Sequence, residues 1–275
     1  MTEHLNAAGE PWLLTSIENG VACATLNRPE ARNALALELR LDLMAFLESV
    51  RDRDDVRVVV IQAAGKSFIA GGDIKVFARG LEMNAQERSD DMRMRATGAG
   101  KLSELITSLP QPVIVSARGF AVGVGASVVF AADLAIVSET TKIGLTHVTL
   151  GISPDGLGTH FLPRQVGMKR AAQIALLGEM MEAPELLDMG LVNWVVPDAE
   201  LEERTMVLAR KLADGAPTAQ QATKRLLLGS LGRDISEQVG AEAECLAECA
   251  LTDDYAEGLR AILGRRAPVF GQKGN

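Results

Sequence analysis

The sequence predicts an α/β protein in which strands alternate with helices and a purely helical segment follows at the C-terminus. Three observations carry this. The runs Val56 to Ile61, Val113 to Ala117 and Leu134 to Val137 are apolar apart from Arg57 and Ser116, as strands buried on both faces are. Other segments place apolar residues at helical spacing, as Leu39, Leu43, Phe46, Leu47 and Val50 do. Beyond residue 198 that spacing persists through Leu201, Thr205, Leu208 and Leu212, with no strand-like run after it. Such alternation implies an α/β domain with crossover connections.

Residues 1–10 read as a disordered tail, 11–198 as the α/β core and 199–275 as the helical segment. Within the core, residues 13–18 and 21–26 read as strands joined at Asn19-Gly20, a hairpin turn signal. Asn33 suits the cap of the helix that carries Leu39 to Val50. The polar, Met-containing stretch over 80–95 reads as a mobile loop. It feeds a helix with Leu102, Leu105, Ile106 and Leu109 on one side. Pro112 opens the strand at Val113, and a helix is expected over Ala126 to Ala132. Three more helices are expected over 218–230, 235–251 and 253–264.

Composition narrows the function classes. The 275 residues are 47% hydrophobic and 23% charged, ordinary for a globular protein that buries a large core. A net charge of −8 argues against a general nucleic-acid or anionic-membrane binder. It leaves room for an anionic ligand held by a local basic patch. The N-terminus has no basic and apolar regions of a secretory signal. Phe120 to Ala132, the most apolar stretch, has 13 residues, short of the ~20 that span a bilayer. Cys23, Cys245 and Cys249 have no His or further Cys beside them, so they read as free thiols, with no metal expected. The expected compartment is the cytoplasm.

Two glycine-rich turns carry the chemistry. They are Gly65-Lys-Ser-Phe-Ile-Ala-Gly-Gly-Asp73 and Gly119-Phe-Ala-Val-Gly-Val-Gly-Ala-Ser127. Each follows a strand-like run and leads into a helix start, where N–H groups have no intrahelical partner. Two such turns converging would offer a pair of donors to an anionic oxygen, which suggests chemistry on a carbonyl. Read locally, the same residues also make a tight turn with Asp73 as a helix cap. Gly123-x-Gly125 begins like a dinucleotide fingerprint, but Val128 stands where its third glycine belongs and the motif lies mid-chain.

Further motifs accompany these turns. They are Leu26-Asn-Arg-Pro-Glu-Ala-Arg-Asn-Ala-Leu35, Ala70-Gly-Gly-Asp73-Ile-Lys75 and Pro112 to Asp133. Next come Gly151-Ile-Ser-Pro-Asp-Gly156, Leu162-Pro-Arg164-x-x-Gly167 and Gly190-Leu-Val-Asn-Trp-Val-Val-Pro197. Glu257-Gly-Leu and Arg266-x-Pro268-x-Phe270 close the set. In this order and spacing the chain resembles the crotonase superfamily, the enoyl-CoA hydratase/isomerase family. The resemblance implies a crotonase-like spiral of repeated ββα turns, and C-terminal helices that assemble a trimer or a dimer of trimers. It implies an acyl-CoA thioester as substrate, with no other cofactor.

The resemblance also assigns roles. The backbone N–H groups of Gly72 and Val124 would form the oxyanion hole. Val124 departs from the family's usual glycine; its N–H survives, while its branched side chain narrows the acyl pocket. Backbone around Ala70, Asp73 and Ile74 would bind the adenine of CoA, with Arg28 and Arg32 near its phosphates. Hydratases of this family use two glutamates, and the matching positions here hold Ser127 and His147. A serine cannot act as a base near neutral pH, so the usual hydration machinery is absent. Asp155 stands where isomerases of the family carry an acidic residue, although Pro154-Asp155-Gly156 is equally a turn sequence. His147 could share proton transfer or be structural. His160 reads as structural, and His4 falls in the expected tail.

The function expected is a double-bond shift, 3-enoyl-CoA to 2-trans-enoyl-CoA, with one Asp as acid and base. The rivals are a hydratase with atypical residues, a carbon–carbon-bond hydrolase using a His–Asp pair, and a non-catalytic acyl-CoA-binding protein. Aromatic residues make up only 4% of the chain, which disfavours an aromatic cage for a benzoyl group.

Overall fold

β-Branched residues determine the centre of the molecule, because their stiff side chains pack well on a pleated surface and poorly in a helix. A computed structural model describes residues 4–271. In chain order the strands and helices of the first half are β1 (Leu13–Glu18), β2 (Val21–Leu26), α1 (Leu37–Arg51) and β3 (Val58–Ala63). They continue as α2 (Ile74–Arg79), α3 (Ala85–Ser108), β4 (Val113–Ala117), β5 (Phe120–Val122) and α4 (Val124–Ala131). The second half has β6 (Leu134–Ser138), β7 (Lys142–Gly144), α5 (Gly158–Leu177), β8 (Met181–Glu182), α6 (Ala183–Asp188) and β9 (Trp194–Val196). Four helices follow: α7 (Leu201–Ala213), α8 (Pro217–Ser230), α9 (Ile235–Ala250) and α10 (Asp253–Leu263).

The strands form a six-stranded sheet in the order β1-β2-β3-β4-β6-β9, and a three-stranded sheet in the order β5-β7-β8. β1 and β2 are an antiparallel hairpin; its Asn19 and Gly20 both have positive φ, 51° and 79°, as a tight hairpin turn requires. From β2 to β9 all pairs in the large sheet are parallel. The long strands β3, β4 and β6 stack in the large sheet. The short segments that follow them (Ile69, β5 and β7) pair side by side beneath. This repetition, strand, short strand, helix, is a spiral of the kind the resemblance implies.

β3 shows why its apolar run is continuous. Val59 and Ile61 face a core with Leu39, Leu43 and Leu47 of α1 and Leu102 and Ile106 of α3. Val58 and Val60 point the other way, into a core with Ile114, Ile136, Leu201 and Ala209. Alternate side chains thus serve opposite faces, and neither face meets water. α7 covers the second face, which fastens the helical segment to the sheet.

Three expectations are corrected. Asn33 does not cap α1, whose N-cap is Ala36 with no side-chain bond. It is wholly buried, accepts the Arg28 N–H at 2.7 Å, and donates to the Ala64 and Ser67 carbonyls at 2.9 and 2.8 Å. Its φ of 52° is one that Asn tolerates, and three bonds between loops outweigh one cap. The stretch over 80–95 is no loop beyond Met83. Asn84 and Glu87 form a capping box that starts α3, and Asp91–Arg95 at i,i+4 supports its polar first half. A solvated helix face had the composition of a loop. Residues 4–10 of the expected tail are held in a turn. The Trp12 N–H donates to the His4 carbonyl at 2.8 Å, Asn6 Oδ1 accepts two N–H groups, and the His4 ring lies 5.3 Å from that of Trp12. Residues 1–3 lie outside those described.

Candidate active site

The two glycine turns meet. Gly72 precedes α2, and Asp73 caps that helix by accepting the Lys75 N–H at 3.1 Å. Val124 is the first residue of α4, preceded by Gly123 at φ 58°, ψ −118°. A side chain would be strained there, and it would sit 3.3 Å from His147 Nε2. Val124 therefore has a helix-start N–H with no intrahelical acceptor. Neither it nor the Gly72 N–H donates to another backbone group among the described residues. Both residues line one cavity of about 540 Å3, together with Ala70, Ile74, His147 and Asp155.

His147 and Asp155 sit on the connection between β7 and α5, and His147 Nε2 lies 3.1 Å from Asp155 Oδ1. His147 is buried, and its Nδ1 is buried without a hydrogen-bond partner. A proton on Nδ1 would then be a buried, unsatisfied donor, whereas a proton on Nε2 is accepted by the carboxylate. The tautomer with its proton on Nε2 is therefore the one that fits, and it donates to the Asp155 carboxylate. Among the described residues that line this cavity, Asp155 is the only carboxylate.

Ser127 is fully buried one turn into α4, and its Oγ donates to the Asp155 carbonyl at 3.0 Å. Added to Gly156, a Cβ would fall 2.9 Å from Ser127 Cβ, so the turn that carries Asp155 rests directly on the serine.

The residues expected near CoA divide into two groups. Ala70 and Ile74 open onto the cavity, with Ile74 exposed. Asp73 instead pairs with Arg28 at 3.0 Å, and the Arg28 guanidinium lies 4.5 Å over the Trp12 ring. Burial pushes the Asp73 carboxyl up. The Arg28 bond and charge, with the Lys75 and Val76 N–H groups, outweigh it and leave the carboxyl below its usual range. Arg28 and Arg32 line neither cavity at the site; Arg32 is exposed. His160 is exposed on α5, edge-on to Phe161 and outside the site.

Sequence reasoning missed a second cavity of about 260 Å3, which shares Gly72, Phe77, Val124 and Asp155 with the first. Arg40 of α1 lines it, and Arg95 of α3 lines both. The available signal was a cation, Arg40, beside the apolar positions Leu39 and Leu43, opposite a glycine, Gly98, inside a long helix.

Spiral and site together define a crotonase-fold α/β protein with a cavity at the junction of two glycine turns. The chain belongs to the enoyl-CoA hydratase/isomerase family, whose sequence pattern matches residues 16–273. It is 37% identical over 257 residues to an (E)-benzylidenesuccinyl-CoA hydratase from Thauera aromatica, covering 92% of this chain and 96% of that one. It is 32% identical over 264 residues to a trans-2-decenoyl-[acyl-carrier-protein] isomerase from Streptococcus mutans, covering 95% and 98%. A crystal structure of an enoyl-CoA hydratase from Bacillus anthracis superposes with a TM-score of 0.88 at 32% identity, over 94% of this chain and 98% of that one. Both activities occur among these relatives. Among the described residues, no helix is long and apolar enough to cross a membrane, and no cluster of three His, Cys, Asp or Glu could hold a metal.

Proposed function

We propose that this acyl-CoA enzyme shifts a double bond, converting a 3-enoyl-CoA into its 2-trans isomer. The observation that carries the reading is the single carboxylate, Asp155, in the cavity where Gly72 and Val124 meet. Asp155 removes a proton from C2, and the C–H electrons pass onto the thioester oxygen as an enolate. The Gly72 and Val124 N–H groups stabilise that oxyanion. When the carbonyl re-forms, C2=C3 forms, C3=C4 breaks and C4 takes the proton back from Asp155. His147 holds the carboxylate through its 3.1 Å bond, and Ser127 holds the backbone beneath it. CoA lies along Ala70, Asp73 and Ile74, with Arg28 and Arg32 on the phosphate side. The subunits associate through the C-terminal helices as a trimer or a dimer of trimers. Leu251, Ile262 and Leu263 support this, being 89%, 76% and 84% exposed.

A second reading is hydration, with His147 and Asp155 holding water in place of two glutamates; the short His147–Asp155 distance favours it. One assay separates them. Purified protein given 3-hexenoyl-CoA should produce the conjugated 2-trans ester, and Asp155→Asn should lower kcat by a factor of at least ~10². Turnover of that variant at the wild-type rate would remove Asp155 from the mechanism. Conversion of crotonyl-CoA to the 3-hydroxy ester would displace isomerisation by hydration.

A further inference from the structure

Arg40 is a cation without an assigned task. It lines the smaller cavity, and its one side-chain hydrogen bond among the described residues runs from Nη1 to the Arg95 carbonyl at 3.1 Å. Its Nε is buried with no partner. Three carboxylates line that cavity and none is hydrogen-bonded to Arg40 among the described residues: Asp155 bonds His147, Asp73 pairs with Arg28, and Glu38 stands at the rim two residues before it. Asp91 takes both forks of Arg95. A guanidinium has five N–H donors, and burying one unmatched is costly unless an anion arrives to meet it.

The fold makes room for this arginine. Gly98 lies inside α3, where glycine costs about 1 kcal/mol relative to alanine. A Cβ at 98 would lie 2.3 Å from an Arg40 Nη atom, so the guanidinium rests flat against that helix because the side chain is missing. The smaller cavity shares Gly72, Val124 and Asp155 with the larger one, at the point where the thioester would be held.

We propose that Arg40 is a specificity residue: it receives a carboxylate at the far end of the acyl group, so that the enzyme takes dicarboxylic monothioesters of CoA in preference to plain fatty acyl-CoAs. The inference rests on the acyl-CoA reading of the cavity. Planar, forked and permanently charged, a guanidinium matches a carboxylate through two parallel bonds. The substrate's anion would also balance Arg40, leaving Asp155 free for the proton.

Calorimetry with saturated ligands tests this without turnover. Succinyl- to suberyl-CoA would be compared with butyryl- to octanoyl-CoA of matching length, against the wild-type protein, Arg40→Met and Arg40→Lys. At the best length the wild type should bind the dicarboxylic ester at least about 30-fold more tightly (about 2 kcal/mol at 1.4 kcal/mol per tenfold). Arg40→Met should reduce that ratio to within about threefold, and Arg40→Lys, which keeps the charge and loses the fork, should fall between. Equal binding of the two ligand series by the wild type would overturn the proposal while leaving the acyl-CoA reading intact. A preference that survives in Arg40→Met would do the same. Binding of neither series would overturn both. Should Arg40→Met fail to fold, the wild-type ratio alone decides against or for the carboxylate.

Discussion

Ser127 shows how one residue can restrict chemistry. Where relatives that hydrate carry a glutamate by resemblance, this chain has a hydroxyl that spends its hydrogen bond on the Asp155 carbonyl. The glycines at 156 and 158 close over it; a Cβ on Gly158 would lie 2.8 Å from Ser127 Oγ. Serine and turn are matched to each other, so restoring the glutamate alone is not a reversion. Ser127→Glu should destabilise the fold by about 1–3 kcal/mol, as overpacking does, read from the urea midpoint. It should also gain no crotonyl-CoA hydration. A variant with wild-type stability that hydrates crotonyl-CoA would show that the turn yields and that Ser127 is the switch between activities. Gly72, Val124 and Asp155 of the larger cavity were legible in the sequence because each sits in a short motif with its own glycine. Met92, Arg93 and Arg95 line it too and were not, because their stretch had the composition of a loop. Arg40 was not legible either, since its meaning depends on a gap at Gly98, far along the chain.

At the level of elements, α8 is joined to the sheet by an ion pair buried on the lysine side and half-buried on the aspartate side. Lys224 Nζ lies 2.6 Å from Asp133 Oδ2 and also donates to the Gln111 carbonyl at 3.0 Å. The same Asp133 oxygen accepts the Val113 N–H at 2.7 Å. Burial, the larger effect on both partners, raises the Asp133 carboxyl and lowers the Lys224 ammonium, against their mutual attraction. Removing the lysine leaves a half-buried carboxylate without its cation, so Lys224→Met should cost about 1–3 kcal/mol in a denaturant titration. A loss below about 1 kcal/mol would mean that α8 is held by its apolar contacts and the pair is incidental. β1 to β4, β6 and the C-terminal helices were legible to within a few residues, because their periodicities are strong; the two- and three-residue strands β5, β7, β8 and β9 are too short to show one. The first half of α3 was not legible either. Its face is polar because it looks outward, and the Asn84–Glu87 box was the overlooked start signal.

For the whole molecule, the exposed apolar residues need a cover. Ile235, Leu246 and Leu251 are 87%, 73% and 89% exposed, all on or beside α9. Exposure on this scale marks an interaction surface. Sedimentation equilibrium should therefore give a mass of about 88 kDa or its double, three or six times the 29.3 kDa chain. A monomer across the micromolar range would overturn the assembly.

Local order in the sequence determined the strand–helix alternation, the two glycine turns and the family. These follow from period, branching and backbone freedom, all properties of neighbours in the chain. Only the tertiary structure decided that Gly72, Val124, His147 and Asp155 share one cavity, and that Asp155 is the one carboxylate among the described residues that line it. It alone showed Arg40 lying against Gly98 with a buried nitrogen unmet. The reason is physical: what a charge does depends on the partners around it, and those partners come from elements far apart in sequence.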